Sequence, residues 1–406
     1  MYPTLSDLLK AIFGFYIPLP VQTFGFVMFL AFLLAYWVLS LELKRKEAHG
    51  LLHPTPYQVT TGKAASVSEL IINGLLGFLF FFKLPLIISA YHAFTENPSQ
   101  TIFNWDGNLL AGIGGALLAG GLTWYDRKRH AQDKPVTKEE NVYPHQLMGN
   151  VIIIAAAAGL VGAKIFDNLE NWDRFISDPV GNLFSASGLT FYGGMIFGGA
   201  AVLWYMNRHG VKPATMLDVG APGLMLGYGF GRIGCHLSGD GDWGIANNLP
   251  KPTWLGFTPD WFWRYSYPHN VNDEGVPIPG CLTRHCHVLS PPVFPTPLYE
   301  AVVCILLFFL IWSIRKRIRV PGALFSIYLI MNGVERFLVE LIRVNTRYHI
   351  GSLSFTQAEL ISILMFMAGI GGLVYCYYFR RPNTSLNTVM DIPPQSSAIK
   401  SSRPTF

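Results

Sequence analysis

Arg232, His236, Asp240 and Asp242 follow one another within the segment GRIGCHLSGDGD, which closes an apolar helix-length run beginning near Thr215. A guanidinium grips phosphate oxygens through a fixed fork of donors, and an imidazole or carboxylate takes a proton. Arg232, joined by Arg336 from another run with hydroxyl and carboxylate neighbours, suits a phosphate whose attached chains remain in lipid. A charge at the mouth of a lipid-embedded run needs a partner or a task. The glycines predict that the helix ends at Arg232 and that 233–244 folds back as a pocket loop. A second set, Asn332, Arg336, Glu340 and Arg343, recurs at steps of four, four and three, which puts it on one face of a helix. Arg336 lies about 10 Å of helix rise below Arg343, so its charge must meet Glu340, another helix or a polar cavity. Positive charge on this span exceeds the nearest negative charge, which leaves a cation for an anion. The competing reading is a purely structural ion pair. Arg343, nearer the water, is expected to be better screened than Arg336.

Other polar groups sit at the ends of separate apolar runs. Tyr192, Gly193 and Gly194 open one run, Tyr299 and Glu300 another, and Gln22 and Phe24 a third. The glycines of GGMIFGG allow a neighbouring helix to come close. GYGFGR has no strand before it, which argues against a dinucleotide loop. Within CLTRHCH, Cys281 and Cys286 can form a disulfide, share a metal with His285 and His287, or play no special part. Cys235 is either a nucleophile or a small packing residue.

These groups must be positioned by membrane spans. The 406 residues are 51% hydrophobic and only 14% charged, with a mean hydropathy of +0.33, a composition that fits an all-α polytopic membrane protein. Nine spans are expected, at 12–41, 66–92, 104–125, 147–167, 188–207, 215–232, 298–315, 322–342 and 357–379. Lys83 beside Pro85 reads either as a snorkelling or kinked position or as a buried functional cation. The formal charge of +5 does not point to nucleic acid, because Lys and Arg cluster between apolar runs. Alternate loops hold 19 of them on one side against 7 on the other, which predicts the N-terminus outside and the C-terminus in the cytoplasm. Residues 1–380 form a single transmembrane domain. The aromatic segment 233–297 is an outer lid or an aromatic belt, and 381–406 is a disordered tail.

The arrangement resembles bacterial prolipoprotein diacylglyceryl transferase. The family's Gly-Arg-x-Gly-Asn-Phe-x-Asn-x-Glu loop corresponds to the segment from Gly231 and Arg232 through Gly234, Cys235, His236, Ser238 and Asp240 to Gly244. Its His-Gly-Gly corresponds to Tyr192, Gly193 and Gly194, and its Pro-x-Gln-Leu-Tyr-Glu to the run from Pro295 to Tyr299 and Glu300. Its Arg-Phe-x-x-Glu-x-x-Arg corresponds to Arg336, Phe337, Glu340 and Arg343, and its Tyr-Gly to Phe24 and Gly25. Relative to the usual seven spans, 66–125 looks like a two-span insertion. The resemblance implies a catalytic set of Arg232, Arg336, Tyr192, His236, Asp240 and Glu340. It also implies a substrate-binding set of Arg343, Tyr299, Glu300, Gly193, Gly194 and Ser238. No metal or organic cofactor is implied. The implied partners are phosphatidylglycerol and secreted prolipoproteins at the outer face of the bacterial inner membrane, and no nucleic acid. The reaction implied is transfer of a diacylglyceryl group to a lipobox cysteine thiol with release of glycerol phosphate. Departures from the family pattern are Phe24 for Tyr, Tyr192 for His, Cys235 for Asn, His236 for Phe, Ser238 for Asn and Asp240 for Glu. Tyr192, with an ordinary pKa of ~10, is a poorer base than His236. The rival readings are a lipid or anion transporter without chemistry, and a relative acting on another lipid.

Overall fold

A computed structural model describes residues 1–61, 64–91, 94, 101–102, 104–131, 136–184, 190–282, 284–345, 347–350 and 353–379. The tail from 381, expected to be disordered, lies outside the described residues. After a short helix α1 (Leu5–Phe13), nine helices of eighteen or more residues account for most of the described chain. They are α2 (Thr23–Ala48), α3 (Val67–Ser89), α4 (Leu109–His130), α5 (Met148–Glu170), α6 (Phe191–Arg208), α7 (Pro213–Ser238), α8 (Thr296–Ile314), α9 (Ala323–Glu340) and α10 (Gln357–Phe379). Five of them, α2, α3, α5, α8 and α10, are long and apolar enough to cross a membrane. The protein is therefore polytopic and helical. In α9 the apolar run is interrupted by Glu335, Arg336 and Glu340, and in α7 it is diluted by glycine.

Among the described residues, three two-stranded antiparallel ribbons accompany the helices. β1 (Thr55–Thr61) pairs with β2 (Val136–Val142), β3 (Val276–Pro277) with β4 (His287–Val288), and β5 (Arg347–Ile350) with β6 (Leu353–Thr356). The first ribbon flanks the α3–α4 hairpin, whose helices pack mainly on each other. Gly77 and Gly115 set that crossing: a Cβ on either would lie 2.4–2.5 Å from the other's carbonyl oxygen. The Lys83 ammonium donates to the carbonyl oxygens of Thr101, Asn104 and Asp106, tying the end of α3 to the chain that leads into α4.

Helix α7 is central, packed against α2 and α8 and also touching α9 and α6. It runs farther than the sequence predicts. The helix continues through Cys235 and His236 to Ser238 and stops at Gly239, whose φ of 67° is left-handed and whose N–H returns to the Cys235 carbonyl at 3.0 Å. Gly234 is tolerated there because Phe24 and Val27 of α2 press against it; a Cβ added to it would lie only 3.3 Å from each. Asp218, near the start of α7, accepts from the Gly322 N–H at 2.7 Å and the Phe325 N–H at 2.9 Å. Gly322 precedes α9 and has no side chain to cap it, so α7 supplies the cap. The two helices are pinned at their starts and run parallel, which carries Arg232 and Arg336 to the same end of the bundle.

Candidate functional site

Three arginines converge at that end. Arg232 comes from the penultimate turn of α7, Arg336 from the last turns of α9, and Arg343 from the turn that follows α9. Glu300, fully buried in the second turn of α8, is the hub. Its Oε2 pairs with Arg232 Nε at 2.6 Å and accepts the Tyr228 hydroxyl at 2.6 Å, while its Oε1 faces Arg343 Nη1 at 3.3 Å and Arg336 Nη1 at 3.5 Å. Asp242 bridges the other side, with Oδ2 on Arg232 Nη1 and Oδ1 on Arg343 Nη2. Glu340 pairs with Arg336 Nη2 at 3.2 Å, and its other oxygen accepts from Asn345 at 2.5 Å and Thr356 at 2.7 Å.

The surplus cation expected from α9 does not exist as such, since three guanidiniums meet the three carboxylates Glu300, Glu340 and Asp242. What remains available is hydrogen-bonding capacity. Arg336 Nη1 and Arg343 Nε are buried donors without a hydrogen-bond partner, and an unmade bond to a buried charged donor is costly. Arg343 is also less open to water than expected: its side chain is 7% exposed, against 16% for Arg232 and 19% for Arg336. The reason is that Gly244 pairs with Arg343 as an isolated bridge, with the Ile245 N–H bonded to the Ile342 carbonyl at 2.8 Å, so the outer segment lies over the turn. A Cβ on Gly244 would sit 2.6 Å from the Ile342 carbonyl oxygen, and only glycine permits that approach.

Beside Arg232, the thiol of Cys235 and the carboxyls of Asp240 and Asp242 bring their ligand-type atoms within 4.8 Å of one another. Asp242 is committed to two guanidiniums, so this is a poor cation site. Burial pushes the Asp242 carboxyl up, but Arg232 and Arg343 outweigh it and hold Asp242 below the usual carboxylate range. Burial and then the charge of Asp242 raise Asp240, whose Oδ1 is buried and accepts no hydrogen bond. His236 faces the outer segment, its Nδ1 3.0 Å from the Tyr267 hydroxyl. Ser238 is buried and donates back to the Gly234 carbonyl at 2.9 Å.

Tyr192, in the first turn of α6, is half-buried, and Arg336, Glu340, Arg343 and Glu170 are the charges that act on it. Gly193 and Gly194 lie where α6 crosses α5: a Cβ on Gly193 would be 2.3 Å from the Gly162 carbonyl oxygen, and one on Gly194 3.3 Å from that of Gly159. The Tyr299 hydroxyl donates to the Phe262 carbonyl at 2.8 Å, tying α8 to the outer segment. That segment has its own small core of Trp243, Tyr267 and Val293, and a disulfide joins Cys281 to Cys286. Sequence reasoning left Tyr228, Asn345 and Thr356 out of the site and named Asp242 only as part of the loop after Arg232. Tyr228 stands one helical turn before Arg232 and was legible from that spacing, whereas Thr356 reaches Glu340 only through the β5–β6 fold.

Comparison with known proteins covers most of the chain. The family model described as prolipoprotein diacylglyceryl transferase matches residues 122–375. Curated relatives include the phosphatidylglycerol–prolipoprotein diacylglyceryl transferase of Leptospira interrogans, 28% identical over 58% of this chain and 81% of the relative. The protein of that name from Clostridium tetani is 31% identical over 54% and 77%, and that from Pseudomonas paraeruginosa 26% over 68% and 89%.

Proposed function

Because the chain belongs to the prolipoprotein diacylglyceryl transferase family, we propose that it transfers the diacylglyceryl group of phosphatidylglycerol to the lipobox cysteine thiol of secreted prolipoproteins. The observation that carries this reading is the convergence of Arg232, Arg336 and Arg343 on Glu300 and Asp242, with two buried guanidinium N–H donors unspent. A phosphodiester oxygen is the kind of acceptor those donors require. The attached acyl chains remain in lipid.

In the reaction the thiol sulfur attacks the glyceryl carbon that bears the phosphate oxygen. A sulfur–carbon bond forms, the carbon–oxygen bond breaks, and its electron pair leaves on glycerol phosphate. Charge grows on the leaving phosphate, where fixed guanidiniums stabilise it most. The thiol hydrogen goes to a nearby base and finally to phosphate or water. Asp240 suits that step, with a free buried oxygen close to Arg232 and a raised affinity for a proton. His236 is turned toward Tyr267 and orients the outer segment, while Tyr192 contacts the donor from the Arg336 side. Glu340 holds Arg336, and Glu300 and Tyr228 hold Arg232. Gly193 and Gly194 serve the site by bringing α6, and with it Tyr192, close to α5. Tyr299 and Ser238 fix the outer segment and the end of α7.

We read all nine long helices as spans, with the N-terminus and the arginine cluster outside and the C-terminus in the cytoplasm, on the strength of the 19 to 7 bias in Lys and Arg. The test is incubation of the purified protein in detergent with phosphatidylglycerol and a lipobox peptide. A mass gain of one diacylglyceryl group on the peptide cysteine, with stoichiometric glycerol phosphate, is expected. Donor binding without either product favours the transport reading.

A further inference from the structure

A cleft of about 340 Å3 opens beside Asp240. One wall is the N-terminal segment, with Pro3, Val21 and Phe24, and the other is the outer segment, with Val271, Arg284 and His285. Ser238 and Asp240 form the end nearest the reaction site. The N-terminal wall is built in rather than draped. Met1 donates through its amino group to the Pro268 carbonyl at 2.7 Å, the Tyr2 N–H to the Leu237 carbonyl at 2.8 Å, and Thr4 pairs with Gln22 as an isolated bridge. The opposite wall is fixed by the Val271 N–H, which bonds the Gly239 carbonyl at 3.2 Å. Immediately beyond the cleft, Ile12, Phe13, Phe15 and Tyr16 are exposed on and after α1, the pattern of a helix lying in the headgroup layer.

We propose that this cleft receives the acceptor polypeptide and presents its cysteine thiol to Asp240. The inference rests on the transferase reading and names the substrate taken by one side of that site. Three observations select this occupant. The cleft is continuous with the reaction site through Asp240, which belongs both to its lining and to the group formed with Cys235 and Asp242. The volume is at the low end of the ~300–1,000 Å3 range of binding pockets, enough for a few small side chains and too little for a phospholipid's acyl chains. The depth also matches: a secreted precursor carries its processing site just beyond the apolar core of its signal segment, hence at the headgroup level where α1 lies. The mostly apolar walls contact side chains next to the cysteine, and the Asp240 carboxyl at their end accepts the thiol hydrogen.

The experiment narrows the cleft from each wall separately, with Val21→Trp and Val271→Trp in the full-length protein in detergent. Folding is checked by thermal unfolding, and lipidation of a lipobox peptide is followed while peptide and phosphatidylglycerol are varied independently. The peptide KM should rise about tenfold or more while the KM for phosphatidylglycerol stays within about twofold, the signature of lost acceptor binding alone. As a second measurement, a photo-crosslinking side chain at Gln22 should capture the peptide in the absence of donor. A folded Val271→Trp protein with an unchanged peptide KM overturns the proposal. So does absence of crosslinking in a Gln22 variant that lipidates the peptide. Crosslinking without any lipidation by the wild-type protein supports the cleft and refutes the transferase reading, and loss of both refutes the two together.

Discussion

At the scale of single residues, the site is a set of guanidiniums whose directions are fixed by carboxylates. Arg232→Lys and Arg336→Lys keep the charge but lose the fork, so each should lower lipidation by about 10²-fold or more, the equivalent of roughly 3–4 kcal/mol for one transition-state donor. Arg343 bridges Asp242 and Glu300 and is the least exposed of the three, so Arg343→Lys should cost a comparable factor, contrary to what its distance along the helix suggests. Peptide lipidation by folded variants, with donor binding measured separately, checks all three.

Asp240 supplies a pH test at the same scale. Its affinity for a proton is raised by burial and by Asp242, so the wild-type rate should fall with decreasing pH above the ordinary carboxylate range. The linkage has a definite sign. A carboxyl whose folded pKa exceeds its unfolded value of ~3.9 destabilises the fold when ionised, and that penalty is absent below the unfolded value and grows as pH rises through the folded one. Asp240→Asn should therefore raise Tm at neutral pH, with the gain disappearing in acid, while lipidation drops sharply. A lower Tm at neutral pH would contradict the burial argument.

At the scale of elements, the site depends on close helix crossings. In Gly162→Leu the new Cβ would lie 2.4 Å from the Gly193 carbonyl oxygen and from Phe197 Cβ, so α5 and α6 must part. Overpacking of this kind costs about 1–3 kcal/mol, and Tyr192 moves with α6. A lower Tm in detergent and reduced lipidation are expected. Gly199→Leu on the same helix α6, where nothing lies within 4 Å, should leave both nearly unchanged.

At the scale of the whole molecule, the α3–α4 hairpin packs chiefly on itself and is joined to the rest through the β1–β2 ribbon, in which Thr61 pairs with Val136. Most of it precedes the family match at 122. Replacing residues 62–135 by Asn-Gly, a two-residue turn suited to such a ribbon, should leave a protein that inserts and lipidates peptide. Failure to insert would make the hairpin part of the fold rather than an insertion. For orientation, a cysteine at exposed Leu249 should label from outside intact cells and one at Lys400 should not, with Lys400 beyond the described residues.

Local chemistry made much of this legible in the sequence. Apolar runs in the sequence fell on each of the nine long helices, five of which are long and apolar enough for a bilayer crossing, although the run expected from residue 12 becomes helical α2 only at Thr23. The step of four from Arg336 to Glu340 marked their ion pair, because helical spacing puts such residues on one face. Composition could not reveal where α7 ends. Residues 233–238 stay helical with Phe24 and Val27 packed against Gly234, and the helix stops only at Gly239. Nor could it reveal the charge balance, since Glu300, Asp242 and the three arginines are distant in sequence and meet only because Asp218 pins α9 to α7 and Gly244 lies over Arg343. Whether a buried charge is paired or available depends on which helices stand next to it, and that neighbourhood is a property of the packed bundle rather than of any one segment.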